Sequence, residues 1–376
     1  MITRVEAKQY RCLQSVSQEL GPFQVLVGPN GSGKSVFLDV ISFLSTFMSS
    51  GLYKAVEDRS LNFHDLVWRR DGSCFELAIE ATAPISHDAK IIRYELGVRL
   101  DPFRDALVID KELVALLDGG ECQTIVSRDS TSCSFRTETP EHNEARSEIR
   151  GTYSVLGNVD HRFPATVWLR ELLQLWTQTV ILDNVALRNP SPPGQHSAKT
   201  FDGSTLARLV WELQEHSQTT FARWVAHVRT ALPDLDTIKS VSRPEDKTRY
   251  LMLGYKNGVE APSWVLSDGT LRLLALTILA YRPHFKGVYL IEEPENGIHP
   301  TALQTVHQSL SSVYDGEVLA TSHSPLLLNL PRLEQLLCFQ KTPEGTEIVR
   351  GDKHPLLQNW KGDVSLSDLF AAGVFS

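Results

Sequence analysis

The octapeptide Gly28-Pro29-Asn30-Gly31-Ser32-Gly33-Lys34-Ser35 fits the pattern G-x-x-x-x-G-K-[ST]. It follows a short apolar run, Phe23–Val27, and precedes an amphipathic repeat carried by Val36, Val40, Phe43 and Phe47. Strand, glycine-rich turn and helix, in that order, are the context in which this pattern cradles phosphate. The glycines let backbone N–H groups curl inward, and the helix N-terminus adds its positive end. Asn30, Gly31, Ser32 and Gly33 then form the turn, Lys34 reaches the β- and γ-phosphates, and Ser35 ligates Mg²⁺. A chain that opens this way is expected to be α/β, with a nucleoside triphosphate and Mg²⁺ as its ligands. The loop alone leaves open which class of nucleotide-using protein it serves.

The last third narrows the choice. Gly287–Ile291 reads as a buried strand that stops at two acids, Glu292 and Glu293. Acids at a strand's carboxyl end suit a metal and an attacking water. Glu292 is expected to hold Mg²⁺ through water, and Glu293 to polarise the water that attacks phosphorus. A second short strand, Val318–Thr321, delivers Ser322-His323-Ser324-Pro325, where His323 could equally cap the next turn. Leu266-Ser267-Asp268-Gly269-Thr270-Leu271-Arg272 opens an apolar helix running to Tyr281. A serine and a glycine at a helix start can bind an anion, and Lys34 already serves the chain's own γ-phosphate. Read alone, the same residues are an ordinary N-cap.

Composition excludes several alternatives. Hydrophobic residues make up 42% and charged residues 22%, a globular balance, and the formal net charge of −8 argues against a broad basic face for nucleic acid. Cys12, Cys74, Cys122, Cys133 and Cys338 are odd in number and scattered, with no C-x-x-C, which fits a reducing compartment rather than a disulfide framework or zinc knuckle. No secretory leader is legible and no uncharged apolar run approaches the ~20 residues of a membrane span, so a cytoplasmic protein without a membrane role is expected. Alternation of Phe75, Leu77, Ile79 and Ala81, then of Ile92, Tyr94, Leu96, Val98 and Leu100, predicts a β-rich lobe over 74–162, polar and weakly structured near 127–150. A helical insertion is expected over 163–232, with Trp168, Trp176, Trp211 and Trp224 mostly packing in the core and only weakly suggesting a stacking platform for bases. Residues 249–376 carry the remaining motifs, after a hairpin turn at Asn257-Gly258.

Taken together, Val25–Asp39, Leu66-Val67-Trp68, Leu266–Leu274, Leu290–Pro300, Thr321–Leu327 and Ser365–Gly373 resemble the ABC-type ATPase heads of the RecF, SMC and OLD group. Among these the chain is similar to the stand-alone bacterial ATPases that lack a nuclease domain. The resemblance implies a P-loop NTPase fold of ABC-ATPase type with an antiparallel β lobe and a helical insertion. It implies ATP as the nucleotide and an ATP-dependent head-to-tail homodimer. Ser267, Asp268 and Gly269 of one copy would meet the γ-phosphate held by Lys34 of the other. Asn296 would lie in the loop crossing that interface, His323 would be the switch histidine, and Arg11 would reach the nucleotide unless it is a surface charge. One departure is Glu292, where the group usually has aspartate, a reach longer by one methylene. The transporters' glutamine loop has no clear counterpart.

The expected function is an ATP-hydrolysing switch that controls a separately encoded effector, by analogy with OLD relatives a TOPRIM-type nuclease or another toxic enzyme, in antiviral defence or DNA quality control. An ATP-gated scaffold with little turnover and a DNA-binding repair ATPase are the alternatives, and DNA remains a possible partner. A built-in nuclease is disfavoured, because the sole D-x-D triplet, Asp234-Leu235-Asp236, precedes the signature segment.

Overall fold

Phe23–Val27 is buried at every position, as a strand covered on both faces must be. In the computed structural model, which describes residues 1–84, 90–118, 120–136, 138, 144–148, 151–194, 199–358 and 365–371, this strand lies inside a seven-stranded sheet. The spatial order is Thr200–Phe201, Thr177–Val180, Val288–Glu292, Glu317–Thr321, Phe23–Val27, Leu336–Thr342 and Gly345–Arg350. Pairing is parallel throughout except for the last two strands, which form an antiparallel hairpin. Three neighbouring strands therefore end on the same side, in register Glu292↔Thr321 and Thr321↔Leu26. The crevice beyond those carboxyl ends is where an open parallel sheet binds ligands.

An eight-stranded antiparallel sheet forms the second layer, in the order Leu13–Glu19, Ile2–Tyr10, Cys74–Ala83, Lys90–Asp101, Ala106–Asp118, Glu121–Arg128, Ser132–Arg136 and Glu144–Glu148. The alternating apolar positions face inward: Phe75, Leu77, Ile79, Ala81, Ile92, Tyr94, Leu96 and Val98 are all buried. Two features differ from the sequence reading. The sheet includes the first two strands of the chain, because Ile2–Tyr10 pairs with Cys74–Ala83 across a long sequence gap. Part of the stretch near 127–150 is stranded, since Ser132–Arg136 pairs with Glu144–Glu148 despite its polar composition. Pairing with an existing edge satisfies backbone groups whatever the side chains prefer. The remaining residues of that stretch, and Ala372 and Gly373 at the end, lie partly or wholly outside the described residues.

The region read as a helical insertion contains Pro164–Glu171, Asn184–Arg188, Leu206–His216 and Gln218–Ala231 as α-helices. It also lends Thr177–Val180 and Thr200–Phe201 to the nucleotide sheet, so it completes that layer rather than standing apart. A four-residue strand and a two-residue strand are too short to show a period in sequence. Trp224 is fully buried and donates from Nε1 to Thr277 Oγ1 at 3.0 Å, a core role. A small sheet, Leu235–Ser242, Arg249–Tyr255 and Glu260–Pro262, turns at Gly258, whose φ of +82° suits the Asn-Gly hairpin signal.

Between the two large sheets runs the helix Lys34–Glu57, with Phe37, Val40, Phe43 and Phe47 buried against them. Its length and apolarity match a membrane span, and its burial in the core accounts for both. The helix kinks at Gly51, where Leu52 N–H donates to Thr152 O at 2.8 Å. That loop is anchored by the buried Glu112, which accepts from Tyr94 Oη, Val155 N–H and Arg128, while Arg128 also donates to the Tyr153 and Gly151 carbonyls. The β lobe and the phosphate-loop helix are thus joined by a buried polar network centred on Glu112 and Arg128.

Candidate functional site

The phosphate loop is shaped by what surrounds it. A Cβ at Gly28 would sit 2.2 Å from the Phe339 carbonyl oxygen, so only glycine allows the strand to pass its neighbour. Gly33 has φ of +102°, and a Cβ there would meet Thr346 Oγ1 at 2.7 Å. That hydroxyl donates to Ser32 O at 2.9 Å, bracing the loop from the C-terminal hairpin. Lys34 is only 5% exposed, and its Nζ donates to the Gly28 and Pro29 carbonyls, both at 2.8 Å. Among the described residues no carboxylate lies within ion-pair distance of it. Burial pulls the Lys34 ammonium down to about 8, and the facing Glu293 carboxylate opposes that shift. A buried ammonium held by two carbonyls and, at 3.5 Å, the Ser32 hydroxyl is the electrostatic complement of a phosphate.

Ser35 is exposed at the start of the helix, and Glu292 is exposed at the end of its strand. Both are oxygen donors, the chemistry Mg²⁺ takes together with water and phosphate oxygens. No cluster of three or more His, Cys, Asp or Glu able to hold a metal by itself occurs among the described residues. The oxygens of Ser35 and Glu292 have the chemistry that would suit Mg²⁺ arriving with a nucleotide.

Glu293 has φ of +47°, a left-handed conformation that costs a non-glycine residue roughly 1–3 kcal/mol. It is held there by its N–H, which donates to Thr321 O at 3.1 Å. The turn aims the carboxylate back over the crevice: Oε1 lies 3.8 Å from His323 Nε2, and Oε2 accepts from Asn296 Nδ2 at 2.5 Å. Glu293, His323, Asn296 and Lys34 are thus brought together from segments far apart in sequence. The turn after His323 is capped by Ser324, whose Oγ accepts from Leu327 N–H. Capping therefore does not occupy the histidine.

Arg11 stands beside the phosphate-loop helix, its Nη1 3.4 Å from Asp39 Oδ2. Asp39 also accepts from Tyr10 Oη at 2.6 Å and Arg59 Nε at 2.7 Å. This cluster ties the first strands to the helix one turn past Ser35, and Asp39 and Arg59 carried no sequence signal.

The segment Ser267–Gly269 sits elsewhere. Ser267 is an N-cap, its Oγ accepting from Thr270 N–H at 3.2 Å. Asp268 is paired with Arg188 and accepts from Asn184 Nδ2 at 2.9 Å, while Arg188 also donates to Leu266 O at 2.9 Å. Arg272 donates to Asn184 Oδ1, Leu182 O and Asn296 O. Gly269 packs so that a Cβ would meet Gly297 O at 2.9 Å. Sequence reasoning missed Asn184, Arg188 and Arg272, whose partners lie some eighty residues away for the first two. Asn184 and Arg188 lie in the helix that follows Thr177–Val180, a strand three places from Phe23–Val27 in the sheet.

Similarity to other proteins agrees with this geometry. Residues 23–154 and 204–329 match the AAA_21 family, described as "AAA domain, putative AbiEii toxin, Type IV TA system". The chain is 20% identical over 403 residues to the "Retron Vc95 probable ATPase" of Vibrio cholerae serotype O1 biovar El Tor, covering 95% of this chain and 76% of that protein. It is 21% identical over 393 residues to the "OLD nuclease" of Thermus scotoductus, covering 93% of this chain but only 64% of the relative. Among solved structures, an Smc head bound to the C-winged helix domain of ScpA superposes with a TM-score of 0.57 at 15% identity, covering 93% of this chain and 97% of that one. An Smc head with an extended coiled coil, bound to the C-terminal domain of ScpA from Pyrococcus furiosus, gives 0.53 at 12% identity, covering 99% and 98%. These two show the fold. The chain belongs to the AAA_21 family and is an ABC-type ATPase of the RecF, SMC and OLD group.

Proposed function

We propose that this chain is a cytoplasmic ATP-hydrolysing switch that closes as a head-to-tail homodimer and controls a separately encoded effector. The observation that carries the reading is a pair of half-sites with different partners. Among the described residues the buried Lys34 has no carboxylate within ion-pair distance, and the helix start at Ser267–Gly269 is tied through Asp268 to Asn184 and Arg188, which follow a strand three places from Phe23–Val27 in the sheet. Each half-site needs a phosphate contact the other supplies, and a rotated second copy provides both. Large apolar side chains beside the signature helix, Val185 at 66% and Val265 at 63% exposed, would be covered on closure.

In the closed state Lys34 and the loop N–H groups hold the phosphates, and bound Mg²⁺ supplies charge neutralisation. Glu293 takes the proton from the attacking water, His323 donates toward the terminal phosphate, and Asn296 fixes the Glu293 carboxylate. Ser267 Oγ and the Gly269 N–H contact the other copy's γ-phosphate, and hydrolysis removes that contact and reopens the dimer. Arg11, held by Asp39, is placed to contribute charge near the nucleotide.

The effector we favour is a nuclease or another toxic enzyme, in antiviral defence or DNA quality control. This chain's D-x-D triplet supports a separate nuclease: Asp236 lies 3.9 Å from Arg229, whose guanidinium also donates to the Asp236 carbonyl. Glu293→Gln keeps the size of the side chain and removes the base. It is expected to bind ATP, to lower turnover about 10²–10⁴-fold, and to accumulate an ATP-bound dimer in analytical ultracentrifugation. A Glu293→Gln protein that stays monomeric at saturating ATP would overturn the dimer, and parental turnover would overturn the base.

A further inference from the structure

Glu295 lies two residues beyond Glu293 in the same tight turn, closed by Asn296 N–H to Glu293 O at 3.0 Å and Ile298 N–H to Glu295 O at 3.0 Å. Its side chain points away from Asn296 and toward the segment that follows the strand Glu317–Thr321. One oxygen, Oε1, accepts three hydrogen bonds: Ser322 Oγ–H at 2.7 Å, His323 N–H at 3.0 Å and Ser324 N–H at 3.1 Å. The other oxygen, Oε2, is buried and has no hydrogen-bond partner among the described residues.

We infer that Glu295 is the positioning residue that sets His323 against Glu293, an inference that rests on the ATPase reading above. The segment Ser322–Ser324 belongs to no helix or strand, so its backbone N–H groups have no ladder to join. Ser322 N–H is taken by Leu26 O at 3.0 Å, and the next two donate to Glu295, with Ser324 N–H also 3.1 Å from Ser322 Oγ. Pro325 then offers no N–H at all. Remove the Glu295 acceptor and the His323 N–H loses its hydrogen bond to the Glu293 turn. The 3.8 Å separation of His323 Nε2 from Glu293 Oε1 is too long for a hydrogen bond, so the two side chains do not fix each other's place directly. One short turn fixes both instead: Glu293 by its own backbone, His323 through Glu295.

The lopsided bonding makes the inference sharp. All the work passes through one oxygen as an acceptor, so an amide oxygen can replace it, with the amide nitrogen in the place of the partnerless Oε2. A role as base or metal ligand would instead demand the full carboxylate. Glu295→Ala is therefore expected to lower kcat about 10- to 100-fold with ATP KM unchanged, the cost of a misplaced catalytic group. Glu295→Gln is expected to keep kcat within about fivefold, because a neutral acceptor is weaker but correctly placed. Glu295→Asp, one methylene short, should fall between.

A readout independent of turnover accompanies these. The His323 imidazole resonance, assigned by its loss in His323→Asn, should move in Glu295→Ala and stay in place in Glu295→Gln, measured on the full chain without nucleotide. An Ala variant with parental kcat and an unmoved resonance overturns the inference, as does a Gln variant as impaired as Ala. If the parental chain shows no turnover, the ATPase reading fails while the resonance comparison still decides the positioning role. If Glu295→Ala does not fold, Glu295→Asp against Glu295→Gln carries the same decision.

Discussion

Two helix starts in this chain look alike in sequence and behave differently in the fold. Gly33-Lys34-Ser35 and Ser267-Asp268-Gly269 each place glycine, hydroxyl and charge at the first turn of a helix. At the first, the helix has no side-chain cap and the charged residue is a buried lysine held by neutral oxygens. At the second, Ser267 already caps the helix and the aspartate is already neutralised by Arg188. The first is a buried cation with no carboxylate in ion-pair distance among the described residues, which favours an anion. The second is a charge-balanced surface whose remaining N–H dipoles can greet an anion presented from outside. The lesson is that charge compensation, not motif chemistry alone, separates a primary phosphate site from a docking one.

The comparison breaks most severely at Lys34. Lys34→Ala is expected to weaken ATP binding at least about 100-fold, the loss of one or two charge-assisted hydrogen bonds, read by titration calorimetry. Wild-type affinity would mean the two helix starts are equivalent after all. Ser267→Arg should leave ATP binding by a single chain intact and eliminate ATP-driven dimerisation and turnover. Mixing it with Lys34→Ala chains should return part of the activity, because one composite interface then carries both defects and the other neither. Mixed dimers with no recovered turnover would remove the shared site.

Arg188→Ala tests whether neutralising Asp268 matters. The ion pair is partly exposed, so its loss is worth about 1 kcal/mol and should weaken ATP-driven association about fivefold, through repulsion between the freed carboxylate and a phosphate. ATP affinity of the single chain should not change.

The last test is a pH dependence specific to the first helix start. Burial holds the free Lys34 ammonium at about 8, and a bound phosphate favours its charged form and raises that value. Below about pH 8 the lysine is already charged and affinity is flat. Above it, binding must take up a proton, so ATP affinity should fall about tenfold between pH 7 and pH 9, with proton uptake visible in calorimetry across buffers. A flat profile would mean Lys34 is not buried in the nucleotide-free protein.

Legibility followed distance along the chain. The strand–loop–helix order around the phosphate loop, the strand that ends at Glu292 and Glu293 and the Asn-Gly turn are local patterns, and each was legible as an element. The contribution of Thr177–Val180 and Thr200–Phe201 to the nucleotide sheet was not, because strands this short carry no period and are stabilised by the neighbours they join. Nor were Arg188 and Glu295 readable as partners of Asp268 and the His323 segment, since nothing local marks which distant group a charge will meet.

By itself, the order of residues determined an α/β ATPase head: a strand, a loop that only glycines can turn, a lysine behind it, and acids at a later strand end. Those choices are set by local backbone sterics and by the chemistry of phosphate. Tertiary structure alone decided the rest. It joined the first two strands to the β lobe and set the Glu293 carboxylate over the crevice. It also tied Asp268 to Arg188 and Asn184. Each of these depends on which long-range pairs satisfy buried polar groups, and that is a property of the assembled chain rather than of any segment.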